Sequence, residues 1–455
     1  MPPPIAWVWR CCSLACAIFA INMRVLVVGK GGREHALVWR LHQSPSVRQL
    51  FCTAGNPAID ALAEPVPCAP ENIVALAEFA AAHQIDLTVV GPEEPLARGI
   101  GDEFAARGLT LLGPSKAAAQ LEASKVFAKQ IMAEAKVPTA AFESFEDASA
   151  ARRYVISQGG PLVVKADGLA AGKGVTVCNR TEEALAAIDE MMERRIFGAA
   201  GARLLIEERL VGQELSCFAL CDGTQALAIG SAQDHKALLE NDRGPNTGGM
   251  GAYSPVLQFA AGLEAQVVHE IFEPTLAAMA ARGHPFRGIL FAGLMIVDGH
   301  PKVLEFNVRL GDPEAEVLML RCQGDLARAL LSAAHGQLES SHFTLSPKAA
   351  VAVVLTAPGY PGAYPKGLPI SGLELIEGPS AVKVRWAAEQ TRVKVFHAGT
   401  ALESGRLVSD GGRVLVVCAL APGLAQARAA AYEAAEMIDF SGKHFRRDIG
   451  AKALG

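Results

Sequence analysis

A chain of 455 residues is too long for one compact hydrophobic core, so two to four domains are expected. With 51% hydrophobic and 20% charged residues, the composition is globular and excludes a disordered chain. A net charge of -5 lays down no broad basic field, which excludes nucleic acid as the expected partner but leaves room for a local pocket that takes a charged small molecule. The ten cysteines are scattered without a CxxC pair or a zinc-like cadence. Cys217 and Cys221 share a strand-like run and stand roughly 13 Å apart along it, too far for a disulfide, so all ten are read as thiols of a reducing compartment.

Residues 1–22 differ from the rest. Their apolar stretch from Cys11 to Ile21 is too short to span a bilayer, and the start lacks the basic residues of a secretory signal. The segment is read as an over-called start or a weak targeting segment, because Met23 opens directly into a core strand, RVLVVG. From there strands and helices alternate: 24–29, a helix carrying HALVWRLHQ, QLFCTAG, ENIVALAEFAAAHQ, DLTVVGPEE, a helix through Phe104, and LTLLGPS. Short β-branched runs that end in glycine predict a doubly wound parallel sheet over 23–123, with ligands beyond the carboxyl ends of its strands. A second, two-lobed α+β unit is expected over 124–320, with a lid at about 137–212. It contains the paired strands PLVVKADG and GVTVCN, a bent strand or two consecutive strands in ARLLIEERLVGQELSCFALCDG, and the strands GILFAGLMIVDG and KVLEFNVRL. A third, β-rich unit over 321–455 is built from AAVAVVLTAPGYPG, Val393–Thr400, GGRVLVVCAL and a closing helix from about Leu424 to Met437. The fold class is therefore α/β in three parts.

Five clusters carry chemistry. Gly29-Lys30-Gly31-Gly32-Arg33-Glu34-His35 follows a strand and opens a helix, where backbone N–H groups face an anion site. The second strand ends in Phe51-Cys52-Thr53-Ala54-Gly55 with no acid, which favours a phosphorylated sugar over a dinucleotide; a glycine turn for packing is the alternative. Lys165-Ala166-Asp167-Gly168 and Gly172-Lys173-Gly174 form a glycine-rich loop between two strands. It is not a Walker A loop, and Lys173 and its amides can cover phosphates while Lys165 is a fixed point charge. Glu207 and Glu208 end an apolar strand, where they either accept from an adenine amino group and a ribose hydroxyl or form an ordinary solvated pair. Asp234, in Gln233-Asp234-His235-Lys236, suits a substrate ammonium, and the long loop Asp242–Tyr253 that follows suits a backbone-rich pocket floor. In KVLEFNVRLGDPE, alternation puts Glu305, Asn307 and Arg309 on one face and Leu304, Phe306, Val308 and Leu310 on the buried one. Glu305 and Asn307 are hard oxygen ligands for Mg²⁺, and Arg309 can hold a carboxylate in a bidentate fork.

In order along the chain, GGREHAL, DLTVVGPEEPL, KADGLAAGKGV, GPNTGGMGAYSP, EFNVRLGDPE, FHAGT and RRDIG resemble the phosphoribosylamine–glycine ligases, ATP-grasp enzymes of purine synthesis, from Met23 to about Gly450. The resemblance implies ATP contacts at Lys125, Lys165, Gly172, Lys173, Gly174, Glu207, Glu208, Leu210 and Glu214. It implies Mg²⁺ or Mn²⁺ on Glu305 and Asn307, and a phosphoribosylamine site that includes Gly31, Gly32, Arg33, Glu34 and Glu93. The glycine and acyl-phosphate region would use Asp234, Asn246, Thr247, Gly248, Gly249 and Arg309, with Arg309, Lys165 and Asp234 as the catalytic set. A cytoplasmic monomer that acts on glycine, phosphoribosylamine and ATP, with no membrane or nucleic-acid partner, is what the family leads one to expect. Three positions depart from the pattern: Lys30 replaces the usual Asn, Ala237 the usual Arg, and Arg243 a small polar residue. Arg243 is expected to make the substrate contact that an arginine at 237 would otherwise supply. The rivals are a different ATP-grasp ligase, a catalytically idle nucleotide binder and, last, a dehydrogenase.

Overall fold

The computed structural model describes residues 22–53, 55–169, 174–257, 262–377 and 390–454. The expected N-terminal sheet is present and wholly parallel. Its strands run in the order Glu64–Val66, Val47–Thr53, Met23–Val28, Leu87–Val90, Leu111–Leu112. Val25 to Val28 are fully buried because helices cover both faces of the sheet, which is why the strand reads as an unbroken apolar run. The edge strand Glu64–Val66 escapes sequence reading, since EPV holds two residue types that strands disfavour.

A smaller antiparallel sheet, in the order Phe142–Phe145, Leu204–Glu208, Leu162–Ala166, Val175–Cys178, carries helices Ala148–Gln158 and Thr181–Ile188. Ala151, Val155, Val164, Ala184, Ile188 and Ile206 are among the residues of a core that belongs to this unit alone. The run from Ala202 to Asp222 is two strands in two different sheets. Leu204–Glu208 lies in the small one, while Gln213–Asp222 pairs with Arg287–Val297 in the large one. The chain crosses between them at 209–212, where Val211 is exposed.

The large sheet has eight strands: His300–Asn307, Arg287–Val297, Gln213–Asp222, Ala226–Asp234, Gly251–Ser254, Ala349–Thr356, Arg413–Ala421 and Arg392–His397. The strands expected to form a separate third unit thus continue the sheet of the second. Gly251–Ser254 is the joint, paired to Gln233 and Asp234 on one side and to Ala350–Val353 on the other. All eight residues of Ala349–Thr356 are buried. Ala350, Ala352 and Val354 share a core with helix Glu314–Arg321, whereas Val351, Val353 and Leu355 share another with helix Leu424–Met437. With a period of two, the two helices therefore cover opposite faces.

The C-terminal segment clamps the loop after Asp234. Arg446 is fully buried, and its guanidinium donates to the Ala237 carbonyl (3.0 Å), to Asp242 (3.0 Å) and to both oxygens of Asp448 (2.8 Å each). Asp448 also accepts from the Asn241 N–H at 2.8 Å. Burial pushes the Asp448 carboxyl up, but these donors outweigh it and hold it at about 2. A carboxyl whose folded value lies below its unfolded one, about 3.9, stabilises the fold above that unfolded value. The contribution is then lost as the pH falls through the folded value. Melting temperatures measured between pH 5 and 2 are therefore expected to fall less steeply in Asp448→Asn than in the parent chain; parallel slopes would refute the clamp's role.

Candidate active site

The carboxyl ends of the N-terminal strands meet around Glu34. Gly29 has φ +122°, and a Cβ there would lie 2.5 Å from Glu34 Cγ; a Cβ on Gly91 would lie 1.9 Å from Glu34 Oε1. The two glycines are thus required by the acidic side chain between them. Glu34 accepts from the Gly31 N–H (2.6 Å) and from Arg33 Nε (2.6 Å), so its carboxylate organises the helix start. Arg33 is buried and reaches the Leu310 carbonyl at 3.2 Å. Asn56 caps the next short helix and donates to the carbonyls of Lys30 (3.0 Å) and His397 (2.9 Å), tying this loop to the C-terminal strands. The Lys30 side chain is exposed.

The expected nucleotide contacts line the junction of the small and large sheets. Lys125 starts helix Lys125–Glu134 and donates to the Gly168 carbonyl at 3.1 Å. Lys165 is buried, ion-paired to Glu207 at 2.8 Å and hydrogen-bonded to the Leu304 carbonyl at 3.0 Å. Leu304 is not on the buried face that strict alternation predicts. The strand is bulged, with Gly293 opposite Glu305 and Leu294 opposite Val303, so Leu304 is the extra residue and its carbonyl turns toward Lys165. Glu207 is deeply buried, whereas Glu208 is exposed and accepts from the Ala141 N–H at 3.1 Å. Leu210 sits half-buried on the crossing segment, Glu214 is exposed at the next strand's start, and the Gly174 carbonyl accepts from the Ala166 N–H at 2.8 Å. Gly172 and Lys173 lie outside the described residues.

Along the last strand of the large sheet, Glu305 and Asn307 stand beside an acidic group made of Asp234, Glu214 and Glu314, with Lys236 among them. Lys236 pairs with Glu214 at 3.2 Å. Burial and the charges of Glu314, Glu214 and Glu305 push the Asp234 carboxyl up to about 7 in spite of Lys236. Burial also raises Glu305, but Lys236, Lys165, Lys125 and Arg309 outweigh it and keep its carboxyl below the usual range. Four carboxylates around one lysine leave negative charge to be compensated. An ionised Glu305 two positions from an amide oxygen fits a small hard cation that takes its other ligands from phosphates and water. Arg309 donates to Glu93 (3.2 Å), Glu122 (2.8 Å), Asn307 Oδ1 (3.3 Å) and the Leu310 carbonyl (3.1 Å). The sequence-predicted Glu93 and Arg309 are thus brought together, with a partner, Glu122, that the motifs did not flag.

A cavity of about 380 Å³ joins the three parts of the chain, with Gly31 and Gly32, Asn246 to Gly248, Asp312, Tyr360 and Arg413 in its wall. Tyr360 Oη accepts from the Gly248 N–H at 3.0 Å, and Arg413 donates to the Gly248 carbonyl at 2.6 Å and the Asp312 carbonyl at 2.7 Å. Both backbone polar groups of Gly248 are therefore held by the C-terminal part of the chain, Tyr360 from a turn and Arg413 from a strand start. Sequence reading missed Tyr360 and Arg413, which flank apolar runs read only as strands. Ala237 is buried and pairs with Asn246 in a small hairpin, while Arg243 is exposed and donates to the Glu240 carbonyl at 3.3 Å. Nothing in this arrangement gives Arg243 the place of a side chain at 237.

Three family models match in series: the N domain of phosphoribosylglycinamide synthetase at residues 23–122, its ATP-grasp (A) domain at 123–315 and its C domain at 350–452. A phosphoribosylamine–glycine ligase of Brucella melitensis is 48% identical over 432 residues, which cover 95% of this chain and 98% of that one. One from Vibrio vulnificus is 46% identical over 435 residues, 95% and 99% of the two chains. The crystal structure of the Thermotoga maritima phosphoribosylamine–glycine ligase superposes with a TM-score of 0.78 at 34% identity, covering 94% of this chain and all of that one. A biotin carboxylase of Campylobacter jejuni shares the fold alone, with a TM-score of 0.70 at 15% identity over 93% of each chain. Matched in order along nearly all of its length, the chain belongs to the phosphoribosylamine–glycine ligase (phosphoribosylglycinamide synthetase) family.

Proposed function

We propose that this protein joins glycine to 5-phosphoribosylamine with ATP, giving glycinamide ribonucleotide, ADP and phosphate through glycyl phosphate, the second step of de novo purine biosynthesis. The observation that carries this reading is the meeting of the N-terminal glycine turn, the Asn246–Gly248 loop and Asp312, three residues beyond Arg309, around one cavity. A phosphorylated amine fits there, next to the acidic group around Glu305 and the lysines around Glu207.

In this reading the ATP phosphates lie against Lys125 and Lys165, with Gly172, Lys173 and Gly174 as further phosphate contacts. Backbone atoms near Glu207, Glu208 and Leu210 read the adenine, and Glu214 the ribose. Glu305 and Asn307 would hold Mg²⁺ or Mn²⁺, which would supply positive charge against the phosphates. Asp234 takes the glycine ammonium, where the surplus acidic charge favours a cation. Arg309 steadies the glycine carboxylate as its oxygen attacks the γ-phosphorus and ADP leaves. To accept a carboxylate, the guanidinium must share donors now given to Glu93 and Glu122. The phosphoribosylamine nitrogen, held from Gly31, Gly32 and Arg33 across to Asn246–Gly249, then attacks the acyl carbon. Phosphate departs with the bonding pair, and the nitrogen loses a proton. No side chain becomes covalently attached; the protein contributes positioning and charge.

Residues 23–123 would carry the amine substrate, 124–320 the nucleotide, with a lid at about 137–212, and 321–455 the far wall of the cavity. The chain would act as a cytoplasmic monomer. No helix among the described residues is long and apolar enough to cross a membrane.

ADP and glycinamide ribonucleotide are expected only when ATP, a divalent cation, glycine and fresh phosphoribosylamine are all supplied. Turnover without the amine, or with another acid in place of glycine, would transfer the chain to a sister ATP-grasp activity. Arg309→Lys, which keeps the charge but loses the fork, is expected to lower kcat by about 10²–10³. An unchanged kcat would remove Arg309 from the catalytic set. Glu305→Gln is expected to raise the Mg²⁺ concentration for half-maximal activity by at least about tenfold; an unshifted requirement would place the cation elsewhere.

A further inference from the structure

The nucleotide lysine does not stand alone. Helix Lys125–Glu134 places Lys129 one turn after Lys125, on the same side of the helix. Its ammonium is buried with only 2% of the side chain exposed, 3.1 Å from Glu207 Oε1, and it donates to Thr139 Oγ1 at 2.6 Å. It also rests 5.6 Å from the centre of the Phe142 ring. The other oxygen of Glu207 faces Lys165 at 2.8 Å, with 6% of the lysine side chain and 2% of the glutamate exposed. Two ammoniums therefore share one carboxylate in a place that water barely reaches.

We infer that Lys129 is a positioning residue for the nucleotide, sharing Glu207 with Lys165 so that Lys165 keeps uncompensated positive charge for the phosphates. Alone with Glu207, Lys165 would form a neutral pair, and an incoming phosphate would meet the carboxylate unshielded. With Lys129 on its second oxygen, Glu207 is neutralised twice over, and the buried group carries one surplus positive charge. An unpaired buried charge is costly, and a bound polyanion relieves that cost. Burial pushes Lys129 down to about 8, against the pull of Glu207 and Glu208 and with the push of Lys165, so it keeps its proton at neutral pH. The device also spans two sheets. Glu207 and Lys165 belong to the small one, while Thr139 passes the contact on to the Val303 carbonyl of the large one at 2.6 Å.

The inference rests on the reading of Lys165 as a phosphate contact, and the test separates the two. Calorimetric titrations with Mg-ADP and with adenosine, which lacks phosphates, are made on the full-length chain and its variants. Lys129→Met is expected to weaken ADP binding by roughly tenfold or more and to change adenosine binding less than twofold. The double variant Lys129→Met with Glu207→Gln restores one surplus charge and is expected to regain most of the ADP affinity. A residue that merely fills space would weaken both ligands alike, and that result, or unchanged ADP affinity, would overturn the inference. If Lys165→Met leaves ADP binding unchanged, the phosphate reading of Lys165 fails and the inference falls with it. Should Lys129→Met fail to fold, Lys129→Gln keeps a donor for Thr139 and gives the same readout.

Discussion

A guanidinium taken out of water must be surrounded by acceptors, and Arg309 meets that demand by drawing on three stretches of chain. Glu93 begins the helix that follows the fourth N-terminal strand, Glu122 ends the link to the second unit, and Asn307 with the Leu310 carbonyl lies on its own strand. Glu122 returns to the same strand by accepting from the Val308 N–H at 2.8 Å. With only 16% of its side chain exposed, Arg309 draws its compensation from both carboxylates. The N-terminal sheet is thereby fixed against the strand that carries Glu305 and Asn307. Arg33, reaching Leu310 from the glycine turn, adds a second tie at the same point. The register between the strand ends and the proposed metal ligands follows from satisfying these two cations.

The site is sorted by sign of charge. Around Glu207 the lysines outnumber the carboxylate, while around Lys236 the carboxylates outnumber the lysine. The two clusters stand on either side of the Leu304 bulge, whose carbonyl points to Lys165 while the next residue, Glu305, senses both groups. A polyanion belongs on one side and a cation or ammonium on the other. This separation matters more to the proposed chemistry than any single residue, because the reaction joins an ammonium-bearing acid to a phosphate before the amine arrives.

The order of motifs made the N-terminal sheet, the paired strands around Lys165 and the polar face at Glu305 and Asn307 legible, since each rests on local alternation or on glycine at a strand end. What escaped depends on partners distant in sequence. The bulge at Leu304 is set by its pairing with Gly293 and Leu294, and alternation within one strand cannot reveal it. Lys129 reads as an ordinary helical lysine, and only the position of Glu207, 78 residues later, makes it buried. The joint at Gly251–Ser254 is short and glycine-led, so the pattern suggested a loop where the sheet in fact continues. Glu34 was legible as an acid at a helix start, but its confinement between Gly29 and Gly91 requires two strand ends to be brought together.

The small sheet has a core of its own, and it meets the rest of the molecule through the segment near Thr139, the crossing at 209–212, the lysines that share Glu207 and the turn at Asp167 and Gly168, which Ser124, Lys125 and Val126 hold. A unit that is packed within itself and joined to its neighbours by polar contacts moves as a body more easily than it unfolds. An acyl phosphate needs this combination, because water must be excluded after glycine is activated while the amine must still reach the acyl carbon. If the small sheet closes as a rigid lid, Lys165 moves with it, and the Glu207 pairing decides how much charge travels along. The large sheet, continuous from the strand of Glu305 through Gly251–Ser254 to the C-terminal strands, gives that motion a floor. Its continuity also places Arg413 and the turn that carries Tyr360 where they hold Gly248 by both backbone groups. The loop proposed to meet the amine is anchored to the part that stays still, so closure can change access to the acyl carbon without displacing the floor beneath it.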